Sequence, residues 1–273
     1  MSDCGGNCSS CSENCGERDM RFKQNKASNI KKIYAVVSGK GGVGKSSVTC
    51  RLASAMQSLG KQCAVLDADV TGPSVPKMFG LRGRAVADED GILPMETSTG
   101  IRVMSVNLLL ETEDSPVVWR GPVISGVIQQ FFTEVAWGEV DYMFIDMPPG
   151  TGDVPLTVFQ SIPVDGIVVV TAPQDLVSLI VTKAVRMADM MHKPILGVVE
   201  NYSYFQCDKC GEKHYIFGQS NLDQVAASLG VKVLAQIPMD PAMAQAMDQG
   251  AVENLEHNYL DPVADQILEH EKK

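Results

Sequence analysis

Gly39-Lys40-Gly41-Gly42-Val43-Gly44-Lys45-Ser46 decides how this chain is read. An apolar run, Ile33 to Val37, precedes it, and Ser47 to Leu59 follows with apolar residues at helical spacing. Four glycines in eight residues let the backbone curl with its N–H groups inward, and a helix starting at Ser46 aims its positive end at the same point. The stretch therefore reads as a phosphate cradle between a strand and a helix. Gly39, Gly44, Lys45 and Ser46 fit the G-x-x-x-x-G-K-[ST] pattern, in which the lysine reaches the outer phosphates and the hydroxyl ligates magnesium. Backbone from Gly39 to Ser47 is expected to line the nucleotide: Gly39, Lys40, Gly41, Gly42, Val43, Gly44, Lys45, Ser46 and Ser47. Lys40 is superfluous to a single cradle, since Lys45 already neutralises the phosphates. On spacing alone it reads as a solvated lysine, or else as a group serving a facing site.

Carboxylates then appear where such a cradle needs them. Cys63 to Leu66 reads as a buried parallel strand ending in Asp67-Ala68-Asp69, and Tyr142 to Ile145 as another ending in Asp146. Ligands of doubly wound sheets sit at the carboxyl edge of the strands. Either Asp67 or Asp69 can hold magnesium or orient a water for attack on the γ-phosphate, and Asp146 can hold magnesium through its water shell. The loop Met147 to Asp153, bounded by Gly and Pro, is placed to respond to the γ-phosphate as a switch. Further apolar runs at Gly166–Thr171, Ile195–Val199 and Val233–Ile237 alternate with helical segments, as a parallel sheet requires. A short hairpin is expected between Ala85 and Val106. Met187, Met190 and Met191 have the spacing of a packed helix face, and Cys50 and Cys63 read as small buried residues.

The chain has 273 residues, 45% hydrophobic and 21% charged, enough for one large core. A net charge of -10 argues against a general binder of nucleic acid or anionic membranes. Neither a spanning apolar run nor a signal-peptide pattern is present, so the reading is cytoplasmic. Eight cysteines in a reducing compartment point to metal or redox chemistry.

Those cysteines fall in two groups besides the buried pair. Cys4, Cys8, Cys11 and Cys15 lie in a Gly-, Asn- and Ser-rich tail that has no apolar residue for a core. Their spacing can close around zinc or an iron-sulfur cluster, or the tail can carry free thiols. Residues 1–30 are thus expected to be a flexible Cys-rich tail and linker, with the main domain spanning 31–273. Cys207-Asp208-Lys209-Cys210 interrupts that domain as an inserted knuckle over 202–218, flanked by Tyr202, Tyr204, Phe205, Tyr215 and Phe217. Two thiolates do not complete a tetrahedral site. His214 can add a third ligand, a second copy can bring its own pair across a two-fold axis, or the two thiols can form a local redox disulfide.

Taken together, these motifs resemble the Mrp/Nbp family of iron-sulfur cluster carrier ATPases, within the deviant Walker A class that includes MinD and nitrogenase iron protein. The likeness spans nearly all of residues 33 to 256. It is carried by Ser38 to Ser46, Asp67-Ala68-Asp69, Gly72-Pro73-Ser74, Trp119-Arg120-Gly121-Pro122, Asp146 to Asp153, Glu200-Asn201 and the 207–210 pair. Asp208 and Tyr202 stand where the family commonly has proline and methionine.

The resemblance implies an α/β fold, a mostly parallel doubly wound sheet of the P-loop NTPase type, with ATP and Mg2+ bound. It implies that Lys40 reaches the nucleotide of the opposite protomer, so that the protein is a homodimer facing itself across two ATP sites. Lys45 would bind phosphate, Ser46 hold magnesium, Asp69 orient the attacking water, Asp146 support magnesium and Asn201 read adenine. Cys207 and Cys210 would share a bridging [4Fe-4S] cluster with the partner's equivalents, for delivery to apo iron-sulfur proteins. Hydrolysis is expected to be slow without partners, because the loop supplies no arginine finger within one site. Two other functions share these motifs: a MinD-like positioning ATPase and ATP-driven electron transfer. The first would call for a terminal amphipathic membrane helix, and residues 260–273 lack its basic, apolar-anchored face.

Overall fold

The computed structural model describes residues 22–70, 72, 74–110, 121–150, 152–173, 177–255 and 259–272. Cys4, Cys8, Cys11, Cys15 and the Trp119-Arg120 pair lie outside them. The frame is an eight-stranded sheet in the order β10-β7-β6-β1-β5-β2-β4-β3. Its strands are β1 (Ser28–Ser38), β2 (Cys63–Asp67), β3 (Met95–Glu96), β4 (Arg102–Met104), β5 (Gly138–Asp146), β6 (Gly166–Thr171), β7 (Ile195–Glu200) and β10 (Val233–Gln236). All neighbours pair in parallel except β3, which runs antiparallel to β4. The expected hairpin region thus contributes two short strands, β3 and β4, paired as a hairpin at the sheet edge.

Parallel strands covered on both faces should be apolar throughout. Gly-Ile-Val-Val-Val-Thr of β6 is buried at every position, as is Cys-Ala-Val-Leu-Asp of β2. Alternate residues feed two cores. Ile33, Ala35, Val37, Met143 and Ile145 face α3 (Gly121–Thr133), α4 (Asp153–Ser161) and α5 (Val177–Met190). Tyr34, Val36, Tyr142 and Phe144 face α1 (Lys45–Ser58), α7 (Pro241–Asp248) and α8 (Asp261–Glu271). Two further α-helices among the described residues are α2 (Val75–Met78) and α6 (Leu222–Ser228). Cys50 and Cys63 are buried in the second core, and burial pushes both thiols up. Met187 is in the first core and Met191 packs against it, but Met190, expected with them, is 73% exposed on the flank of the helix.

β1 begins at Ser28, and the described residues before it, 22–27, are docked on the domain. Phe22 packs on the first core and its N–H donates to Ser161 O at 2.7 Å. Gln24 accepts from the Ile30 N–H, and the Asn25 amide donates to Asp90 O and Glu134 O. One aromatic and two amides therefore anchor a segment whose composition reads as linker.

Candidate nucleotide site and cysteine knuckle

The cradle fills the gap between the end of β1 and the start of α1. Val43 is buried beneath the loop, and Gly42 and Gly44 take φ of +78° and +77°, a region that side-chain-bearing residues rarely enter. At Gly44 space is short as well: a Cβ would stand 2.1 Å from Asn201 Nδ2 and 3.0 Å from the Tyr202 hydroxyl. Gly39 is pressed against α5, where a Cβ would meet Ile180 Cγ2 at 2.4 Å. By contrast, nothing lies within 4 Å of a Cβ at Gly42, and only Pro149 reaches that of Gly41. The loop is thus packed on its inner side and open on its outer side, the shape phosphate oxygens need to approach backbone N–H groups.

The acidic floor comes from neighbouring strands. Asp67 and Asp146 are register partners at the ends of β2 and β5. Asp146 is fully buried and held by three groups of α1: Lys45 Nζ at 2.7 Å, Ser46 Oγ at 2.5 Å and Thr49 Oγ1 at 2.8 Å. Asp69 lines the cleft with Oδ2 3.7 Å from Lys45 Nζ, whereas Asp67 is buried behind it. Asp67 Oδ1 accepts the Asp69 N–H at 3.1 Å and Oδ2 accepts the Ser105 hydroxyl at 3.0 Å. Burial, reinforced by the charge of Asp146, pushes the Asp67 carboxyl up to about 8. Of the two carboxylates left open by spacing, Asp69 is the one presented to a ligand, and Asp67 shapes the turn that presents it.

The cleft measures about 280 Å³ and is lined by Lys40, Gly41, Gly42, Lys45, Ser46 and Asp69, among others. Lys40 stands at its partly exposed mouth, with its carbonyl fixed by the Ser38 hydroxyl at 3.0 Å. Ser47 lines this cleft and also a small apolar cavity beside it, formed with Val48, Arg51, Asn201, Ile237 and Tyr259. Asn201 is fully buried; its amide donates to Val43 O at 3.0 Å and accepts the Tyr202 N–H at 3.0 Å. Expected as a reader of the base, it braces the cradle in this structure and lines the small cavity beside the cleft. The donor set suits Mg2+-nucleotide: hard oxygens at Ser46, Asp69 and Asp146, with phosphates and water supplying the rest of an octahedron. Among the described residues no three His, Cys, Asp or Glu side chains converge on a metal position.

Cys207 and Cys210 sit on a small hairpin, β8 (Phe205–Gln206) and β9 (Lys213–His214). Its turn is closed by Gly211 N to Cys207 O at 2.8 Å and Cys207 N to Glu212 O at 2.9 Å. The N–H groups of Cys210 and Lys209 point at the Cys207 sulfur and hold its thiol below the usual range. N–H donors aimed at sulfur favour the thiolate, the form that ligates metal. His214 is exposed, its ring 6.4 Å from that of Phe205, and does not complete a metal site with the pair. Thr49, Ser105 and Ile180 are among the site residues that sequence reasoning missed, and Tyr202 was read there only as a flank of the knuckle. Thr49 was legible as the residue one helical turn beyond Lys45; the other three are brought in from separate elements.

The ParA family model described as NUBPL iron-transfer P-loop NTPase matches residues 29–270. The chain belongs to this family. Among family relatives, the iron-sulfur cluster carrier protein of Methanocaldococcus jannaschii is 44% identical over 261 residues, 92% of this chain and 90% of the relative. The iron-sulfur cluster transfer protein NUBPL of Mus musculus is 40% identical over 230 residues, 84% of this chain and 72% of that protein. A nucleotide-binding protein of Archaeoglobus fulgidus, solved in complex with ADP, superposes with a TM-score of 0.77 at 42% identity, covering 85% of this chain and 91% of that one. The Pyrococcus furiosus cell division ATPase MinD shares the fold, with a TM-score of 0.62 at 21% identity over 87% of this chain and 98% of that one. Membership covers the expected α/β P-loop fold. None of the described helices is long and apolar enough to cross a membrane.

Proposed function

We propose that this protein is an ATP-hydrolysing scaffold that carries a [4Fe-4S] cluster as cargo and hands it to apo iron-sulfur proteins. The observation that carries the reading is the Cys207–Cys210 turn, with two backbone N–H groups aimed at one sulfur, on the same chain as a complete phosphate cradle. The names of the relatives, iron-sulfur cluster carrier and transfer proteins, support it.

In this reading the open face of Gly41 and Gly42 takes the phosphates, Lys45 binds them and Asp69 orients the attacking water. Ser46 and Asp146 would hold Mg2+, which when bound would neutralise phosphate charge. Asp67 keeps Asp69 in place. Lys40, at the mouth of the cleft, reaches a nucleotide in a second copy, which makes the working unit a homodimer. Two thiolates per chain then give four across the two-fold axis, enough for one cluster and labile enough to release it. Turnover is slow until a partner completes the site. The reading places the protein in a reducing compartment such as the cytoplasm. The N-terminal Cys4, Cys8, Cys11 and Cys15 are a second candidate cluster or zinc site.

The test is transfer. Reconstituted wild type should activate an apo-protein that needs a [4Fe-4S] cluster, and Cys207→Ala should not, although it still binds Mg-ATP. Equal transfer by the two proteins would overturn the proposal.

A further inference from the structure

Residues 200–202 touch both functional regions at once. Glu200, the last residue of β7, is fully buried, and its carboxylate gathers both ends of the knuckle insertion. Oε2 accepts the Ser203 hydroxyl at 2.5 Å and the Gln236 amide at 3.3 Å, while Oε1 accepts the Ser220 hydroxyl. Ser203 precedes the cysteine hairpin, and Ser220 follows it and accepts the N–H of Leu222, the first residue of α6, at 3.1 Å. Between these stems, residues 208–219 are all exposed, so the hairpin takes its orientation from where the stems are fixed. The next two residues face the other way. Asn201 holds Val43 O, and Tyr202, at φ +57°, brings its hydroxyl over Gly44. Val43 and Gly44 are thus joined through residues 201 and 202 to the buried carboxylate that ties both stems.

We infer that Glu200, with Ser203 and Ser220, is a positioning element that couples occupation of the phosphate cradle to the exposure of Cys207 and Cys210. The inference deepens the carrier reading, on which its biological purpose rests, by naming the part that lets nucleotide govern cargo. A coupling free energy is reciprocal, so a change at the thiols would be felt equally at the nucleotide.

The experiment measures alkylation of Cys207 and Cys210 by iodoacetamide in the reduced full-length protein, with and without Mg-ATPγS, resolved by mass of the peptide holding the pair. In wild type the nucleotide should change the rate by about fivefold or more, the lower end of common couplings. Ser203→Ala/Ser220→Ala should still bind the nucleotide, yet its rate should change by less than about twofold. Ser203→Thr/Ser220→Thr, which restores the hydroxyls, should recover the wild-type response, a rescue that a merely destabilised hairpin would not show. If the double alanine variant does not fold, Ser220→Ala alone makes the same test. A nucleotide-insensitive wild type, or alanine variants that keep the full response, would overturn the inference. Failure of the carrier reading looks different: the alkylation response stays intact while the pair takes up neither iron nor sulfide.

Discussion

Lys45 Nζ and Asp146 Oδ1 meet at 2.7 Å in the floor of the cleft, with side chains 5% and 0% exposed. The pair joins the first residue of α1 to the last residue of β5, so the cradle lysine is aimed by a carboxylate from another strand. Thr49 donates to the same Asp146 oxygen and Ser46 to the other. A buried ion pair contributes little net stability, but losing one partner strands a charge in a low-dielectric site.

Lys45→Ala should therefore fail in two separable ways. Mg-ATP binding should be lost in calorimetry, and denaturant unfolding should show a destabilisation of about 3–5 kcal/mol from the uncompensated Asp146. A variant as stable as wild type would mean that the pair is not closed in solution.

Asp67 yields a prediction about pH. Its carboxyl is raised from the ordinary 3.8 to about 8 in the folded protein, first by burial and then by Asp146. Between those two values the folded state binds a proton that the unfolded chain releases, so stability should fall as pH climbs from about 4 to about 8 and level off above. Asp67→Asn keeps the acceptor for the Asp69 N–H and cannot ionise. Measured without nucleotide, its Tm relative to wild type should be higher at pH 8 than at pH 5. A difference independent of pH would place the proton elsewhere.

Gly44→Ala combines left-handed backbone with a Cβ 2.1 Å from Asn201 Nδ2. Backbone strain alone costs about 1–3 kcal/mol. The crowding would also displace the Asn201 strut, so the variant should lose Tm and bind nucleotide at least about tenfold more weakly, a factor equal to 1.4 kcal/mol. Wild-type affinity would show that the cradle tolerates a side chain there.

Much of this architecture is legible in the chain itself, for reasons that also mark the limits. Apolar runs that end in Asp67 and Asp146 can only be buried parallel strands, and a glycine loop between strand and helix has one common use. Spacing could not choose between Asp67 and Asp69, because the choice depends on which carboxylate Ser105, 38 residues away, draws inward. Nor could it give Asn201 its place under Val43, or find the anchoring of residues 22–29 through Phe22, Gln24 and Asn25. Those contacts pair polar side chains with distant backbone, which leaves no periodic trace. The hydroxyls on Glu200 escaped notice for the same reason: Ser203 and Ser220 are ordinary turn residues until the fold brings them to one carboxylate.

The central claim is that Cys207 and Cys210 bind a cluster shared between two copies. The measurement that tests it most directly is iron and acid-labile sulfide per chain, with absorption and EPR spectra and sedimentation, on protein reconstituted without oxygen beside Cys207→Ala/Cys210→Ala. Wild type should be a dimer that holds a [4Fe-4S] cluster, and the variant should lose that iron and sulfide, keeping only what the N-terminal cysteines hold. Identical iron and sulfide in the two proteins, or zinc without sulfide in both, would contradict the account.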